Sequence, residues 1–156
     1  MDIQTTRFGM LSLELPVVLN FPRGLLGLPG EHDFVLLRHR ESSAIGWLQS
    51  VKTPALALPV VAASELAPGY PEEALENAIR RADMDENAEL GVLVVLTAAA
   101  HGNMPTVNLA APILVDLNKL TAVQVVPDCS ALPTREVFAL KLPISESVAR
   151  AMPAAE

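Results

Sequence analysis

The sequence predicts a mainly β fold: a small antiparallel β-barrel-like single domain with one or two short helices. Three observations predict it. Seven or eight segments of strand length alternate or run apolar and are divided by recurring turn residues. Thirteen prolines against eight glycines mark abrupt segment ends, because proline gives no N–H to a ladder or a helix interior. A single stretch, "PEEALENAIRRA", carries a set of helix signals. The 156 residues fit one compact domain. Residues 1–145 form that domain in this reading, and 146–156, small and Ala-rich, form a flexible or weakly helical tail.

The elements follow in chain order. "IQTTR" is β-prone and Phe8-Gly9 turns it into a hairpin with "MLSLEL". In that second segment Leu11, Leu13 and Leu15 share one face, a period of two that marks a half-buried strand. "NFPRGLLGLPGEHDF" is a loop with buried leucines, punctuated by Pro22, Gly24, Gly27, Pro29 and Gly30, and it leads into the strand "DFVLLRH". "AIGWLQSV" and "PALALPVVA" read as paired strands joined around "KTP", where a residue before proline favours extended backbone. In the helix, Leu75 and Ile79 lie one turn apart on one face, glutamates occupy the first turn and Arg80-Arg81 the last. "ELGVLVVLTAAA", "TVNLAAPILVDL" and "LTAVQVVP" are β-rich, and the continuous "VLVVL" suits a strand buried on both faces. "TREVFALKL" is one more strand or a short helix.

Composition narrows the function. Hydrophobic residues at 51% and charged residues at 19% exclude wholesale disorder. The net charge of −7 opposes direct nucleic-acid binding, which rests on lysine and arginine neutralising phosphates, and it favours a basic protein partner. The opening "MDIQTTRFG" lacks a signal peptide's basic and apolar regions. The longest apolar run, Leu90 to Ala100, is shorter than the roughly 20 residues that span a bilayer. No membrane contact and a cytoplasmic location are expected. The lone Cys129 forms no disulfide within the chain and reads as an idle thiol.

No catalytic constellation emerges. His32, His39 and His101 share no metal-ligand spacing with one another or with Cys129. No serine sits in a G-x-S-x-G elbow, and no nucleotide-binding glycine motif occurs. Asp83-x-Asp85-x-Asn87 has the spacing of an EF-hand opening, but Ala88 stands where that loop needs glycine. No enzyme, metal or cofactor is therefore expected. Polar residues inside apolar strands remain: Gln49, Asn108 and Gln124. By pattern they face solvent or satisfy neighbouring backbone groups.

Four ordered stretches resemble the FliW family of bacterial flagellar assembly factors. "FPRGLLGL" from Phe21, with Phe34 opening the next strand, is similar to the family's F-x-x-G-L-P-G-F loop and F-x-L strand, with Leu26 and Leu28 in place of proline and phenylalanine. "WLQSV", Trp47 to Val51, is similar to its L-Q-S stretch, and "VLVVLT" is a third match. "TVNLAAPILVDLNKLTAVQVV" resembles its N-L-x-A-P-I signature followed by a strand, a turn and a strand ending Q-V-V. The resemblance implies a small β-barrel-like, non-enzymatic protein that binds flagellin and CsrA, a basic RNA-binding translational repressor. Flagellin and CsrA would compete, so that flagellin level sets flagellin translation; a chaperone of flagellin alone is the narrower alternative, and a small-molecule-binding β-barrel module with "GLLGLPG" as a lid is the alternative of another class. It also implies contact residues at the motif positions Gln49, Ser50, Asn108, Leu109 and Pro112. Glu72, Glu73, Asp83 and Asp85 join them on charge alone.

Overall fold

The structure is a computed structural model that describes residues 1–38, 44–67, 69–97, 105–128, 132–134, 136–137 and 139–140. The chain opens with a hairpin, β1 (Asp2–Thr5) and β2 (Gly9–Ser12). Thr5 builds its turn: the hydroxyl donates to Gly9 O at 2.8 Å and accepts from Phe8 N at 2.8 Å. Then come β3 (Val18–Asn20), β4 (Asp33–Arg38), β5 (Ile45–Ser50), β6 (Ala57–Ala62), β7 (Leu66–Ala67) and α1 (Glu72–Ala82). β8 (Leu90–Thr97), β9 (Thr106–Val107), β10 (Ile113–Asp116), β11 (Thr121–Gln124), β12 (Glu136–Val137) and β13 (Ala139–Leu140) complete the order.

Seven strands close a barrel in the order β10-β11-β3-β4-β5-β6-β8 and back to β10. The barrel is mixed: every neighbouring pair is antiparallel except β11–β3, which meet in parallel at Thr121 and Asn20. Geometry requires one such pair. Directions cannot alternate all the way round a ring with an odd number of strands. The short strands β12 and β13 pair with β9 and β7, so this part of "TREVFALKL" is strand rather than helix.

The barrel interior holds Leu19, Phe21, Leu25, Phe34, Leu48, Val60, Ile113, Val115 and Ala122. Phe21 and Phe34 meet edge to face at 5.3 Å. Outside, Ile45, Val61, Val94 and Leu96, on the opposite face of the same strands, form a second cluster with Leu66 of β7 and Val107 of β9. The β1–β2 hairpin lies beside β5: Phe8 packs on Trp47 at 5.5 Å and the Arg7 guanidinium sits 4.7 Å from the Trp47 ring centre. β8 feeds both sides, with Leu93 and Val95 against the interior and Val94 and Leu96 in the outer cluster, so it is covered on both faces.

Two expectations are corrected. The hairpin strand ends at Ser12, and Leu15 is 94% exposed rather than facing inward with Leu11 and Leu13. The β1–β2 register runs only to Asp2 and Ser12, with Leu13 exchanging hydrogen bonds with Met1 just beyond it. In α1 the buried face is Ala74, Ala78 and Ala82, while Leu75 is half-buried and Ile79 exposed. These alanines let the helix axis approach Leu114 and Val125 closely, leaving little room there for larger side chains. The helix stops at Asp83, which takes a left-handed conformation at φ 50°. Among the described residues no helix is long and apolar enough to cross a membrane. His39, His101, Cys129 and residues 146–156 lie outside the described residues.

Candidate functional site

Three segments carrying the sequence signatures are wired together at the barrel. The first is the loop between β3 and β4. Its ends are joined: Phe21 N donates to His32 O at 2.6 Å, and His32 Nδ1 lies 2.8 Å from Phe21 O. Gly24 sits at φ +67°, and a Cβ there would stand 2.7 Å from Leu28 O and 2.8 Å from Pro29 Cα and Pro29 O. Only glycine fits that turn without moving backbone. The turn sends Leu25 into the interior, while Leu28 is half-buried and Leu26 is exposed.

The second segment is the β5–β6 turn, built by Gln49 and Ser50. Gln49 is fully buried, and its Nε2 lies 3.1 Å from both Ser50 O and Leu56 O and 3.3 Å from Pro54 O. Ser50 Oγ accepts from Thr53 N at 2.8 Å and Lys52 N at 3.1 Å, and donates to Glu31 Oε2 at 2.6 Å. Thr53 Oγ1 donates to the other oxygen of Glu31. These hydrogen bonds from Ser50 and Thr53 hold the Glu31 carboxyl below the usual glutamate range. Glu31 thus clamps the first loop to this turn, and Lys52 Nζ adds a contact to Gly30 O at 3.3 Å.

The third segment is "NLAAPI". Asn108 Oδ1 accepts from Ala110 N at 3.0 Å, an Asx turn that ends β9, while Asn108 N donates to Val95 O. Leu109 O accepts from the Tyr70 hydroxyl at 2.6 Å, and Leu109 N donates to Pro133 O at 3.0 Å. Pro112 is buried and its carbonyl accepts from Val125 N at 3.1 Å. Gln124 spans the first and third segments: Nε2 donates to Ala111 O at 3.1 Å and Oε1 accepts from Leu26 N at 3.0 Å.

The structure therefore places Gln49, Ser50 and Pro112 inside the scaffold and leaves Asn108 and Leu109 half-buried at its surface. It does not gather the acidic candidates into one patch. Glu72 and Glu73 are exposed in the first turn of α1, whereas Asp83 caps the other end, roughly 15 Å along an eleven-residue helix. Asp85 Oδ1 accepts from Asn87 N at 3.0 Å and its Oδ2 pairs with Lys119 Nζ at 3.4 Å. The Asn87 amide first, and Lys119 second, hold its carboxyl below the usual aspartate range. Among the described residues no group of three or more His, Cys, Asp or Glu is placed to hold a metal ion. Sequence reasoning missed Glu31 and Thr53, because their partners lie about twenty residues away, and took Gln124 only as a polar strand residue.

Known proteins share this fold. The FliW protein family pattern matches residues 2–138. The chain belongs to the FliW family. It is 36% identical over 138 residues to a flagellar assembly factor FliW of Geotalea uraniireducens (strain Rf4), covering 88% of this chain and 84% of that one. A flagellar assembly factor FliW of Heliobacterium modesticaldum is 36% identical over 126 residues, 81% of this chain and 82% of its own. A crystal structure of the flagellar assembly factor FliW superposes with a TM-score of 0.73 at 26% identity, covering 88% of this chain and 96% of that one. The FliW match covers the barrel, α1 and all three wired segments, and it places the chain in a family of non-enzymatic assembly factors.

Proposed function

We propose that this FliW-family chain acts in the cytoplasm as a flagellar assembly factor that binds flagellin and antagonises CsrA, coupling flagellin level to flagellin translation. The observation that carries this reading is the family match across residues 2–138, with the same fold in a solved flagellar assembly factor. The net charge of −7 supports a basic partner, since opposite charge speeds encounter. Within this reading Asn108 and Leu109 touch a partner directly. Gln49, Ser50 and Pro112 act through the turn and strand entry they shape. Glu72, Glu73, Asp83 and Asp85 contribute long-range attraction from the two ends of α1.

Pull-downs with purified flagellin and purified CsrA, run separately, test the proposal. Capture of each by the wild-type chain is expected. Capture of flagellin alone leaves only the narrower chaperone role, and capture of neither refutes both.

A further inference from the structure

A cleft of about 270 Å³ opens between the C-terminal end of α1, the start of the β3–β4 loop and the β10–β11 turn. Its apolar lining includes Pro22, Ala82, Met84, Ala122 and Val123. Its charged lining is Arg23, Asp83, Asp85, Asp116 and Lys119. These groups differ in depth. Arg23, Asp83, Asp85 and Lys119 are exposed, whereas Asp116 is 3% exposed. Asp116 Oδ1 is occupied by Asn118 N at 2.9 Å and Lys119 N at 3.0 Å. Its Oδ2 takes no hydrogen bond among the described residues. Gln49 Oε1 is the one sealed, unpartnered side-chain atom among those residues, so Asp116 Oδ2, on a residue that lines the cleft, is not sealed from solvent.

A buried carboxylate with one unpaired oxygen, on the lining of a cleft with apolar residues beside it, suits a particular guest. It needs a hydrogen-bond donor carrying positive charge at its tip and a methylene stem behind it. The cleft's own cations do not fill this role: Lys119 pairs with Asp85, and Arg23 lies exposed at the cleft with no ion pair among the described residues. With three aspartates against one lysine and one arginine, the lining also carries a net negative charge.

We propose that this cleft receives a lysine or arginine side chain of a partner protein, with Asp116 Oδ2 as the acceptor. The proposal rests on the reading that the chain works by binding proteins, and it adds the site and the chemistry of the anchoring residue. Asp116 positions the guest while its Oδ1 holds the β10–β11 turn.

The test needs no partner, so it stands or falls apart from the flagellin and CsrA assignments. N-acetyl-arginine amide and N-acetyl-lysine amide are titrated into the ¹⁵N-labelled full chain, with neutral N-acetyl-citrulline amide as the control. At least one cationic amide is expected to shift the amide resonances of Ala82 and of Thr121 to Val123 in a saturable way, and citrulline amide to leave them in place. Asp116→Asn keeps an acceptor for the Asn118 and Lys119 amides, so the turn survives, and it is expected to weaken the cationic amide about tenfold or more. A parallel spectrum of the free variant checks that the fold is intact, and Asp83→Asn serves as the second variant should it not be, with a smaller loss expected. No saturable shift with either cation, an equal response to citrulline amide, or unchanged affinity in a folded Asp116→Asn would each overturn the proposal.

Discussion

Gly24→Ala isolates how the first loop is built. Alanine at φ +67° incurs a left-handed backbone cost of about 1–2 kcal/mol. The added Cβ would also stand 2.7–2.8 Å from three backbone atoms, Leu28 O, Pro29 Cα and Pro29 O, where ordinary contact begins at 3.4 Å. Backbone cannot swing aside as a side chain does, so the loop must shift by more than half an ångström. Such overpacking costs typically about 1–3 kcal/mol. The sum, about 2–5 kcal/mol, is a large share of the roughly 5–15 kcal/mol that stabilises a domain. Gly27→Ala is the matched control: φ is +79°, but nothing lies within 4 Å of its Cβ, so only the backbone cost of about 1–2 kcal/mol applies. Urea unfolding followed by tryptophan fluorescence reads both, since Trp47 is buried at 1% exposure. The midpoint of Gly24→Ala should fall clearly below that of Gly27→Ala, at similar slope. Equal midpoints for the two variants would refute the close-approach reasoning.

Other perturbations separate scaffold from surface. Ala78→Leu should destabilise by about 1–3 kcal/mol in urea, because Ala78 is fully buried on the inner face of α1, whereas Ile79→Ala should cost about 1 kcal/mol or less. Glu31→Gln should lower the urea midpoint at pH 7. The Glu31 carboxyl titrates lower folded than unfolded, so its stabilisation is complete above the unfolded glutamate value and is lost as pH falls through the folded one. The gap between wild type and Glu31→Gln should therefore close as pH falls below the unfolded glutamate value of about 4.3 and on through the folded one. Asn108→Ala removes the Asx-turn acceptor and should cost about 1 kcal/mol, roughly 2–4 °C in Tm, by calorimetry. Asn108→Asp keeps that acceptor and should keep the Tm. Weaker partner capture by Asn108→Asp would place the Asn108 amide in the interface, and unchanged capture would assign Asn108 to the fold.

The barrel strands were readable because period two and proline punctuation are local properties. What escaped reading was set by partners elsewhere in the chain. The alternation of "MLSLEL" runs on through Leu15, but β2 ends at Ser12 and that leucine is exposed. Leu75 and Ile79 mark an apolar helix face by size, yet close approach to Leu114 favours the alanine stripe. The single parallel pair follows from closing seven strands, a number fixed by the ring and not by any one segment. Gln49, Asn108 and Gln124 stood out as polar residues in apolar strands, and each satisfies backbone groups. Gln49 and Asn108 do so within their own turns, whereas Gln124 reaches Leu26 in a loop far away in sequence.

The most direct measurement is a displacement titration. The chain is loaded with purified CsrA, flagellin is added in steps, and the free CsrA is quantified by size-exclusion chromatography. A stoichiometric release of CsrA as flagellin binds is the expected result. CsrA that never binds, or that stays bound beside flagellin, would contradict the coupling of flagellin level to translation through this protein.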